Sequence, residues 1–455
     1  MAISVFNTLG REKQELKPAE NKKVNMFVCG PTVYDLSHIG HAKTYVQFDV
    51  IAKYLRYRGH DVFYLQNITD IDDKIIRRGN ENSEDPLELS KRFEKEYYQD
   101  MKSLGIDSIT KYARATDHIK QIIKQIKALE EKGYVYETDD GLYFEIDKFK
   151  EYGKLSNQPL DQIQAGARVV VNEDKKNPGD FSLWKKHKPG EPYWDSPWGK
   201  GRPGWHIEDT AITESFFGPQ YDLHGGAVDL IFPHHESEIA QQEAASGKKP
   251  FVKYWLHTAF LNIDKEKMAK SAGNFITIRD SLKKWDGKVL RFFYASTHYR
   301  SPIDYSEKNI GQAKKGLERI NEFIRKVKRA EGKENEKVSD LIEDTKDKFV
   351  KFMDEDFDMP QAIAAIYDFI REVNKLEIGI QNSKEIISFL KDIDTVLGFM
   401  TFEEDIPQEL QELAEKREEL RKEKKYEEAD KIRDELKEKG HYIDDTPEGP
   451  VVKKL

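Results

Sequence analysis

Two histidines three positions apart mark the first stretch of this chain that is able to do chemistry. His38 and His41 flank Gly40, between an apolar segment that predicts a strand and an amphipathic segment that predicts a helix. Residues three apart share one helix face, so both imidazoles can meet a single ligand. Free backbone N–H groups and the positive dipole end of a helix start favour phosphate, and glycine permits close approach. The alternative is that both histidines only cap the helix.

Two lysines three positions apart form the second such stretch. Lys267 and Lys270 lie in a small polar segment that ends at Gly273-Asn274 and follows a predicted strand. Lysines that can swing onto a polyphosphate neutralise the charge that develops as pyrophosphate leaves. The alternative is a solvated loop without a ligand.

A third group has the side chains of a metal site. His234 and Glu238 are four apart and share one face if a helix starts at Pro233, and Cys29 ends a predicted strand. Sulfur, nitrogen and oxygen ligands of these types suit zinc.

The elements that must position these side chains alternate between strand and helix in the first half of the chain. Val24–Cys29 and Val62–Leu65 are predicted strands, and Tyr45–Tyr57 between them is a predicted amphipathic helix. This βαβ order is typical of a parallel sheet. After Tyr221 the α/β pattern resumes, with Leu230–Phe232 and Phe260–Ile263 as further predicted strands.

The remaining segments differ from this pattern. Lys120–Lys132 predicts a helix, Tyr134–Ile146 a hairpin, and Lys175–Gly204, rich in Pro and Gly, a surface loop. After about Tyr305 the chain is predicted to be helical and to form a bundle. The predicted helices there are Asn309–Lys328, Asp340–Met353, Pro360–Leu376 and Lys384–Leu397, followed by a charge-rich stretch over Glu409–Gly440.

Composition narrows the class of protein. At 455 residues we expect two to four domains. The net charge of −9 excludes a basic nucleic-acid coat but not a local basic groove. A single cysteine excludes an internal disulfide framework. Without an apolar run of about 20 residues or a signal-peptide pattern at the N-terminus, we expect a cytoplasmic protein with no membrane contact.

The histidine motif and the lysine motif, in this order along the chain, resemble a pair of motifs found together in a known class of enzymes. His38–His41 resembles the HIGH motif of class I aminoacyl-tRNA synthetases, and Lys267–Ser271 resembles their KMSKS motif, with Ala269 in place of the central Ser. Similarity to the cysteinyl-tRNA synthetase family extends from about Val5 to the C-terminus. The segments that carry it are Met26–Asp35, Asn67–Ile76, Gly204–Glu208, Phe232–Ala240, Glu428–Asp434 and Asp444–Gly449.

The resemblance implies an α/β fold: a Rossmann-like parallel-sheet catalytic domain with an inserted α+β connective region, then an all-α helix bundle and a small anticodon-binding region. We expect the catalytic domain in two halves, 1–107 and 217–304, around an insertion at 108–216. The bundle is expected at 305–400 and the anticodon-binding region at 401–455. The last region has 18 acidic and 12 basic residues, so its alternative reading is a solvated charged face.

The activity implied is that of a cysteine–tRNA ligase. It activates L-cysteine with ATP and Mg²⁺ to cysteinyl-adenylate, transfers cysteine to the 3′ terminal adenosine of tRNA(Cys), and releases AMP and diphosphate. We expect a monomer. The implied catalytic residues are His38, His41, Lys267 and Lys270. The implied ATP-binding residues are these four with Gly40, Gly225, Gly226 and Asp229. Cysteine contacts are implied for Cys29, Gly30, Thr32, Thr69, Trp205 and His224, and tRNA contacts for Arg417, Arg421, Lys425 and Arg433.

The resemblance also implies one zinc ion held by Cys29, Asp209, His234 and Glu238. Asp209 is a departure, because the family normally has cysteine there. Aspartate is itself a zinc ligand and keeps the formal charge of the site, although the alternative is that the site has lost its metal. Two other activities remain open: an ATP-dependent ligase joining cysteine to a small amine, and a catalytically silent tRNA binder.

Overall fold

The computed structural model describes residues 2–158, 174–267, 275–402, 407–446 and 449–454. The strands are β1 Ser4–Asn7, β2 Glu12–Glu15, β3 Lys23–Val28, β4 Asp61–Ile68, β5 Lys111–Arg114, β6 Val135–Glu137, β7 Gly141–Phe144, β8 Phe181–Lys186, β9 Gly201–Pro203, β10 Tyr221–Ala227, β11 Val252–Thr258, β12 Leu261–Ile263, β13 Glu266–Lys267, β14 Ile303–Tyr305, β15 His441–Thr446 and β16 Gly449–Lys454.

Fourteen α-helices are described alongside these strands. They are α1 Ile39–Tyr57, α2 Asp73–Asn82, α3 Pro86–Ser103, α4 Ile119–Glu131, α5 Trp205–Phe217, α6 Glu236–Ser246, α7 Ile278–Leu282, α8 Gly287–Ala295, α9 Glu307–Lys328, α10 Lys337–Asp354, α11 Met359–Val373, α12 Ile380–Leu397, α13 Gln408–Lys422 and α14 Tyr426–Glu438. Among the described residues we find no helix that is both long enough and apolar enough to cross a membrane.

A five-stranded parallel sheet forms the centre of the first half, in the order β11-β10-β3-β4-β5. Its strands read as apolar runs because both faces are covered; in β3 the last three residues are fully buried. The chain moves outward from β3 to β4 and β5 on one side, and later adds β10 and β11 on the other. The strand order therefore reverses between β3 and β10, where open α/β sheets bind ligands at their carboxyl ends.

Between β5 and β10 the chain forms a second sheet, which is antiparallel in the order β6-β7-β8-β9. The apolar side of α4 packs on it, with Ile122, Ile126 and Leu129 in one core with Leu183 and Trp184. This core also includes Ala240 and Ala244 of α6, and β5 pairs with β4 in the central sheet. The bounds 108–216 for an insertion therefore stay a prediction.

The chain divides into two compact units, Met1–Met400 and Thr401–Leu455. In the first unit, α9 to α12 bury their apolar faces against one another and against α1 and α8. The second unit contains α13, α14 and the antiparallel hairpin of β15 and β16. The α/β class and the helical region after Tyr305 are confirmed.

Three local predictions were wrong. Leu230–Phe232 is not a strand: the strand ends at Ala227, and helical turns at Val228–Leu230 and Ile231–His235 follow it. Lys175–Gly204 is not all loop, because β8 and β9 lie within it. The chain is also not helical to its end, since β15 and β16 close the second unit. A short apolar run does not distinguish a strand from a helical turn, and the turn-rich composition around β8 hid its pairing with β7 and β9.

Candidate active site

A cavity of about 370 Å³ opens where the strand order reverses. Its wall includes Cys29 and Gly30 just beyond β3, and Ala227 and Asp229 at and beyond the end of β10. The start of α1 forms a further part of the cavity wall, with His38, Gly40 and His41. The predicted site residues on its wall are Cys29, Gly30, Thr32, His38, Gly40, His41, Trp205 and Asp229.

His38 is the N-cap of α1, and its ring stacks on that of His41 with centroids 3.7 Å apart. Its Nδ1 accepts hydrogen bonds from the backbone N–H groups of Gly40 and His41, at 3.1 and 3.3 Å. The N–H of Ile39 donates to the carbonyl of Ile276. The prediction of free N–H groups at this helix start was therefore wrong, because the cap already satisfies them.

The groups that remain at this helix start to interact with a phosphate are the imidazole rings of His38 and His41 and the positive end of the helix dipole. Nδ1 of His41 is buried and has no hydrogen-bond partner among the described residues. Burial, with a smaller contribution from His38, lowers the pKa of His41 well below its ordinary value. His41 is therefore a neutral ring at physiological pH.

The second motif falls largely outside the described residues. Lys267 ends β13, which pairs with β12 beside the cavity residue Leu261. Lys270 and the rest of 268–274 lie outside the described part of the chain, so the roles assigned to the two lysines stay predictions.

Two other lysines line the cavity and were not predicted. Lys43 is 1% exposed and donates to the backbone carbonyls of Ala259 and Ser301. Lys74, in the first turn of α2, has its Nζ 5.6 Å from the centre of the Tyr34 ring. Lys43 comes two positions after the first motif, and Lys74 lies within the segment Asn67–Ile76. Hydrophobic periodicity could not distinguish either from an ordinary surface lysine.

Gly225 and Gly226 have a packing reason to be glycine. A Cβ at Gly225 would lie 2.4 Å from the Phe48 ring, and one at Gly226 would lie 2.7 Å from Cε1 of His235. Both glycines thus let the sheet approach α1 and the histidine cluster. Any ATP contact they make remains a proposal, whereas Asp229 lies on the cavity wall.

Four buried side chains from three parts of the chain converge, with Cys29 as one of them. Sγ of Cys29 lies 3.6 Å from Oδ2 of Asp209, and Nε2 of His234 lies 3.0 Å from that same oxygen and 3.0 Å from Oε1 of Glu238. One donor atom from each of the four lies within 4.8 Å of the others. A tetrahedral zinc ion with bonds of about 2.0–2.3 Å holds its ligand atoms about 3.3–3.8 Å apart. The Cys29–Asp209 distance falls within this range and the two His234 distances fall just below it, so small side-chain shifts would let the four atoms hold such an ion.

Glu238 gives an independent reason to expect a cation. The residue is fully buried, and its Oε1 faces Nε2 of His234 at 3.0 Å. Its Oε2 makes no hydrogen bond among the described residues. A buried carboxylate with one oxygen unsatisfied favours a further positive charge nearby, so the donor types and this carboxylate both fit zinc.

The electrostatics of the cluster agree. Burial, reinforced by Glu238 and Asp209, raises the pKa of the Cys29 thiol well above its ordinary value. Burial raises the pKa of Glu238 to about 7. Burial alone would lower the pKa of His234, but Glu238 and Asp209 outweigh it and raise the value to about 9. Burial therefore makes the charged forms of Cys29 and Glu238 unfavourable without a compensating positive charge.

Cys29 and Glu238 also belong to a second donor group, with His224 and His235. Nε2 of His224 and Nε2 of His235 lie 3.3 and 3.1 Å from Sγ of Cys29. Nδ1 of His224 is hydrogen-bonded to the Tyr221 hydroxyl at 2.7 Å, and Nδ1 of His235 is hydrogen-bonded to Nε2 of His257 at 2.8 Å. Because both groups use the same thiol and carboxylate, a single ion takes one group or the other.

The residues predicted to contact cysteine fall into two sets. Trp205 begins α5, is 39% exposed, and stacks on His234 with ring centroids 4.0 Å apart. With Gly30 and Thr32 it lies on the cavity wall. Thr69 and His224 are buried behind that wall, where the Thr69 hydroxyl donates to Glu208.

In the second unit the predicted tRNA contacts are already paired with carboxylates. Arg417 and Arg421 both bind Asp445, at 2.8 and 2.5 Å. Lys425 pairs with Glu423 at 2.8 Å, and Arg433 pairs with Asp430 at 3.0 Å. The predicted basic stripe is thus interleaved with acidic side chains.

Comparison with known proteins places this site in a family. Residues 15–315 match the family described as tRNA synthetases class I (C) catalytic domain, and residues 348–401 match the DALR domain. The chain is 47% identical to a cysteine–tRNA ligase of Thermococcus gammatolerans, over 100% of both chains. It is 49% identical to one of Thermoplasma volcanium, over 97% of both.

A solved structure shares the fold at much lower identity. Mycobacterium tuberculosis methionyl-tRNA synthetase in complex with methionyl-adenylate has a TM-score of 0.60 at 16% identity, covering 83% of this chain and 88% of that one. The fold likeness and the full-length sequence similarity agree, and the chain belongs to the cysteine–tRNA ligase family of class I aminoacyl-tRNA synthetases.

Proposed function

We propose that this chain is a cysteine–tRNA ligase, which activates L-cysteine with ATP and Mg²⁺ and transfers it to the 3′ terminal adenosine of tRNA(Cys). The observation that carries the proposal is the buried group of Cys29, Asp209, His234 and Glu238, of which Cys29 lies on the wall of the cavity that also meets the start of α1. A metal held by this group would select a thiol, and His38 and His41 at the start of α1 are proposed to meet the phosphates of ATP. A monomeric cytoplasmic enzyme is part of the proposal.

Activation needs position and charge rather than a protein nucleophile. The cysteine carboxylate attacks the α-phosphate of ATP and pyrophosphate leaves, so the groups near the phosphates must stabilise negative charge. His38 and His41 face this region from α1, and Lys267 and Lys270 are proposed to approach it from the segment after β12. Asp229, on the cavity wall, is proposed to accept hydrogen bonds from ribose hydroxyls.

Selection of cysteine over serine is the task proposed for the metal. A hydrophobic pocket separates such near-isosteres poorly. Zinc held by Cys29, Asp209, His234 and Glu238 would bind the substrate sulfur as thiolate, a better ligand than a hydroxyl. Trp205, stacked on the ligand His234 and half-exposed on the cavity wall, is placed to cover the bound side chain and exclude water.

Recognition of tRNA is proposed for the second unit. Tyr426 is 61% exposed and lines a surface hollow with Arg421 and Lys422. Single-stranded bases stack on exposed aromatic rings and on guanidinium planes. We therefore extend the proposed contacts of Arg417, Arg421, Lys425 and Arg433 by the ring of Tyr426.

Cysteine-dependent exchange of pyrophosphate into ATP tests the activation step, with serine as the competing substrate and His38→Ala/His41→Ala as the inactive control. We expect exchange with cysteine, little with serine, and charging of tRNA(Cys). Exchange without charging would favour the small-amine ligase, and absence of exchange would favour the silent tRNA binder.

A further inference from the structure

Asn67 is a buried side chain between the Cys29 segment and α5. It lies near the carboxyl end of β4, next to β3, and is 2% exposed. Its Oδ1 accepts from the backbone N–H of Gly30 at 2.6 Å. Its Nδ2 donates to Oδ1 of Asp209 at 2.6 Å.

The partners determine how this amide is oriented. The backbone N–H of Gly30 can only donate, so it requires the amide oxygen. A carboxylate oxygen of Asp209 can only accept, so it requires the amide NH₂. A Cβ at Gly30 would lie 1.7 Å from the carbonyl oxygen of Asn67, so glycine at this position allows the two segments to approach so closely.

The hydrogen bond from Asn67 divides the two oxygens of Asp209 between two tasks. Oδ1 is held by the amide, whereas Oδ2 faces the Cys29 thiol at 3.6 Å and Nε2 of His234 at 3.0 Å. We infer that Asn67 is a positioning residue that makes Asp209 a metal ligand through Oδ2 alone. This inference rests on the proposed function, because it needs an ion in the Asp209 group.

A carboxylate needs such a partner more than a thiolate does. A cysteine side chain has one donor atom, and its ligand atom is defined by the side-chain rotamer alone. An aspartate has two equivalent oxygens and a broad final torsion, so an unheld carboxylate can turn away or bind through both oxygens. Partners that orient ligating carboxylates commonly contribute about 10–100-fold to metal affinity.

A double-mutant cycle on the full chain tests the assignment. Zinc affinity is measured by competition with a chromogenic chelator for the unaltered protein, Asn67→Ala, Asp209→Cys and the double variant. We expect Asn67→Ala to weaken zinc binding by about 10–100-fold with Asp209 present, and by less than about 3-fold with Cys at that position. Asn374→Ala, at an exposed site at the end of α11, is the control and should leave the affinity unchanged.

The cycle separates positioning from a general structural role. Loss of the Gly30 hydrogen bond affects both backgrounds equally, so an equal loss in both would overturn the inference, as would no loss in either. Should Asn67→Ala fail to fold, Asn67→Ser takes its place with the same expectation. If the unaltered protein binds no zinc, both the proposed metal site and this inference are wrong. If it binds zinc with an affinity that does not change in Asn67→Ala, only this inference is wrong.

Discussion

At the scale of single residues, Asp209 determines how firmly the proposed ion is held. Carboxylate is a harder and weaker donor to zinc than thiolate. We therefore expect zinc to leave the unaltered protein faster than Asp209→Cys in excess chelator, while both charge cysteine comparably when zinc is supplied. Metal content at timed intervals after chelation measures this. Equal loss rates would show that the carboxylate holds the ion as well as a thiolate does.

Lys270 is expected to act mainly in the transition state of activation. Lys270→Ala, and to a smaller degree Lys267→Ala, should lower the rate of adenylate formation far more than the affinity for ATP, because the charge they neutralise develops only as pyrophosphate leaves. Single-turnover adenylation at saturating ATP is the measurement. An unchanged rate would remove both lysines from the mechanism.

Lys43 gives a pH dependence with a defined sign. Burial lowers its pKa to about 7, so between pH 7 and its ordinary value the unfolded chain binds more protons than the folded one. Its contribution therefore makes the protein more stable as pH rises through that window, by at most about 1.4 kcal/mol per pH unit.

Lys43→Met should remove that contribution. The measured quantity is the unfolding free energy of the unaltered protein minus the unfolding free energy of Lys43→Met, from urea titrations. This difference should increase between pH 7 and pH 10. Lys111→Met, at an exposed position of β5, is the control and should show a flat difference. A flat difference for Lys43→Met as well would contradict the lowered pKa.

At the scale of elements, a buried ion pair joins α1 to α8. Arg291 donates to Oδ2 of Asp49 at 2.5 Å and to the carbonyls of Leu397 and Gly105 at 2.6 and 2.9 Å. Both charged residues are almost fully buried. Removing Arg291 leaves the buried Asp49 carboxylate with Lys53 as its remaining cation, 3.0 Å from Oδ2. Removing one partner of a buried pair typically costs about 3–5 kcal/mol.

We therefore expect Arg291→Met to destabilise the protein by about that amount in urea unfolding. Arg291→Met/Asp49→Asn should cost less than the sum of the two single changes, because neither charge is then left alone. Additive losses would show that the two side chains do not depend on one another.

Elements with strong local signals were predictable from sequence. Val24–Cys29 and Tyr45–Tyr57 correspond to β3 and α1, and Phe260–Ile263 contains β12. Leu230–Phe232 was misread because a short apolar run does not distinguish a strand from a buried helical turn. β8 was missed because its residues are surrounded by turn-forming residues, and its partners lie in β7 and β9.

The residues of the site motifs could be predicted from sequence, but the residues that position them could not. Cys29, Asp209, His234 and Glu238 were predicted to lie together, and the structure places their donor atoms within 4.8 Å. Asn67 lies 142 positions from its partner Asp209, and no local pattern reports such a contact. Capping by the histidines was the alternative interpretation of the first motif, and the structure shows it for His38, whose ring accepts hydrogen bonds from N–H groups of its own helix.

At the scale of the whole molecule, the two compact units predict a division of labour. A chain that stops after Met400 keeps the central sheet, the cavity and the proposed metal ligands, and loses the unit with Arg417, Arg421 and Tyr426. It should exchange pyrophosphate with cysteine and ATP as the full chain does, and charge tRNA(Cys) poorly. Charging at the full rate would contradict the proposed role of the second unit.

The lone thiol of this chain has a consequence for its behaviour towards oxidants. Cys29 is the only cysteine, and an aspartate oxygen lies 3.6 Å from its sulfur. With cysteine in place of Asp209, two thiols would lie within reach of disulfide formation whenever the proposed ion is absent. In this chain the loss of the proposed ion would leave Cys29 without a second thiol, so an oxidant cannot close the site with an internal disulfide bond.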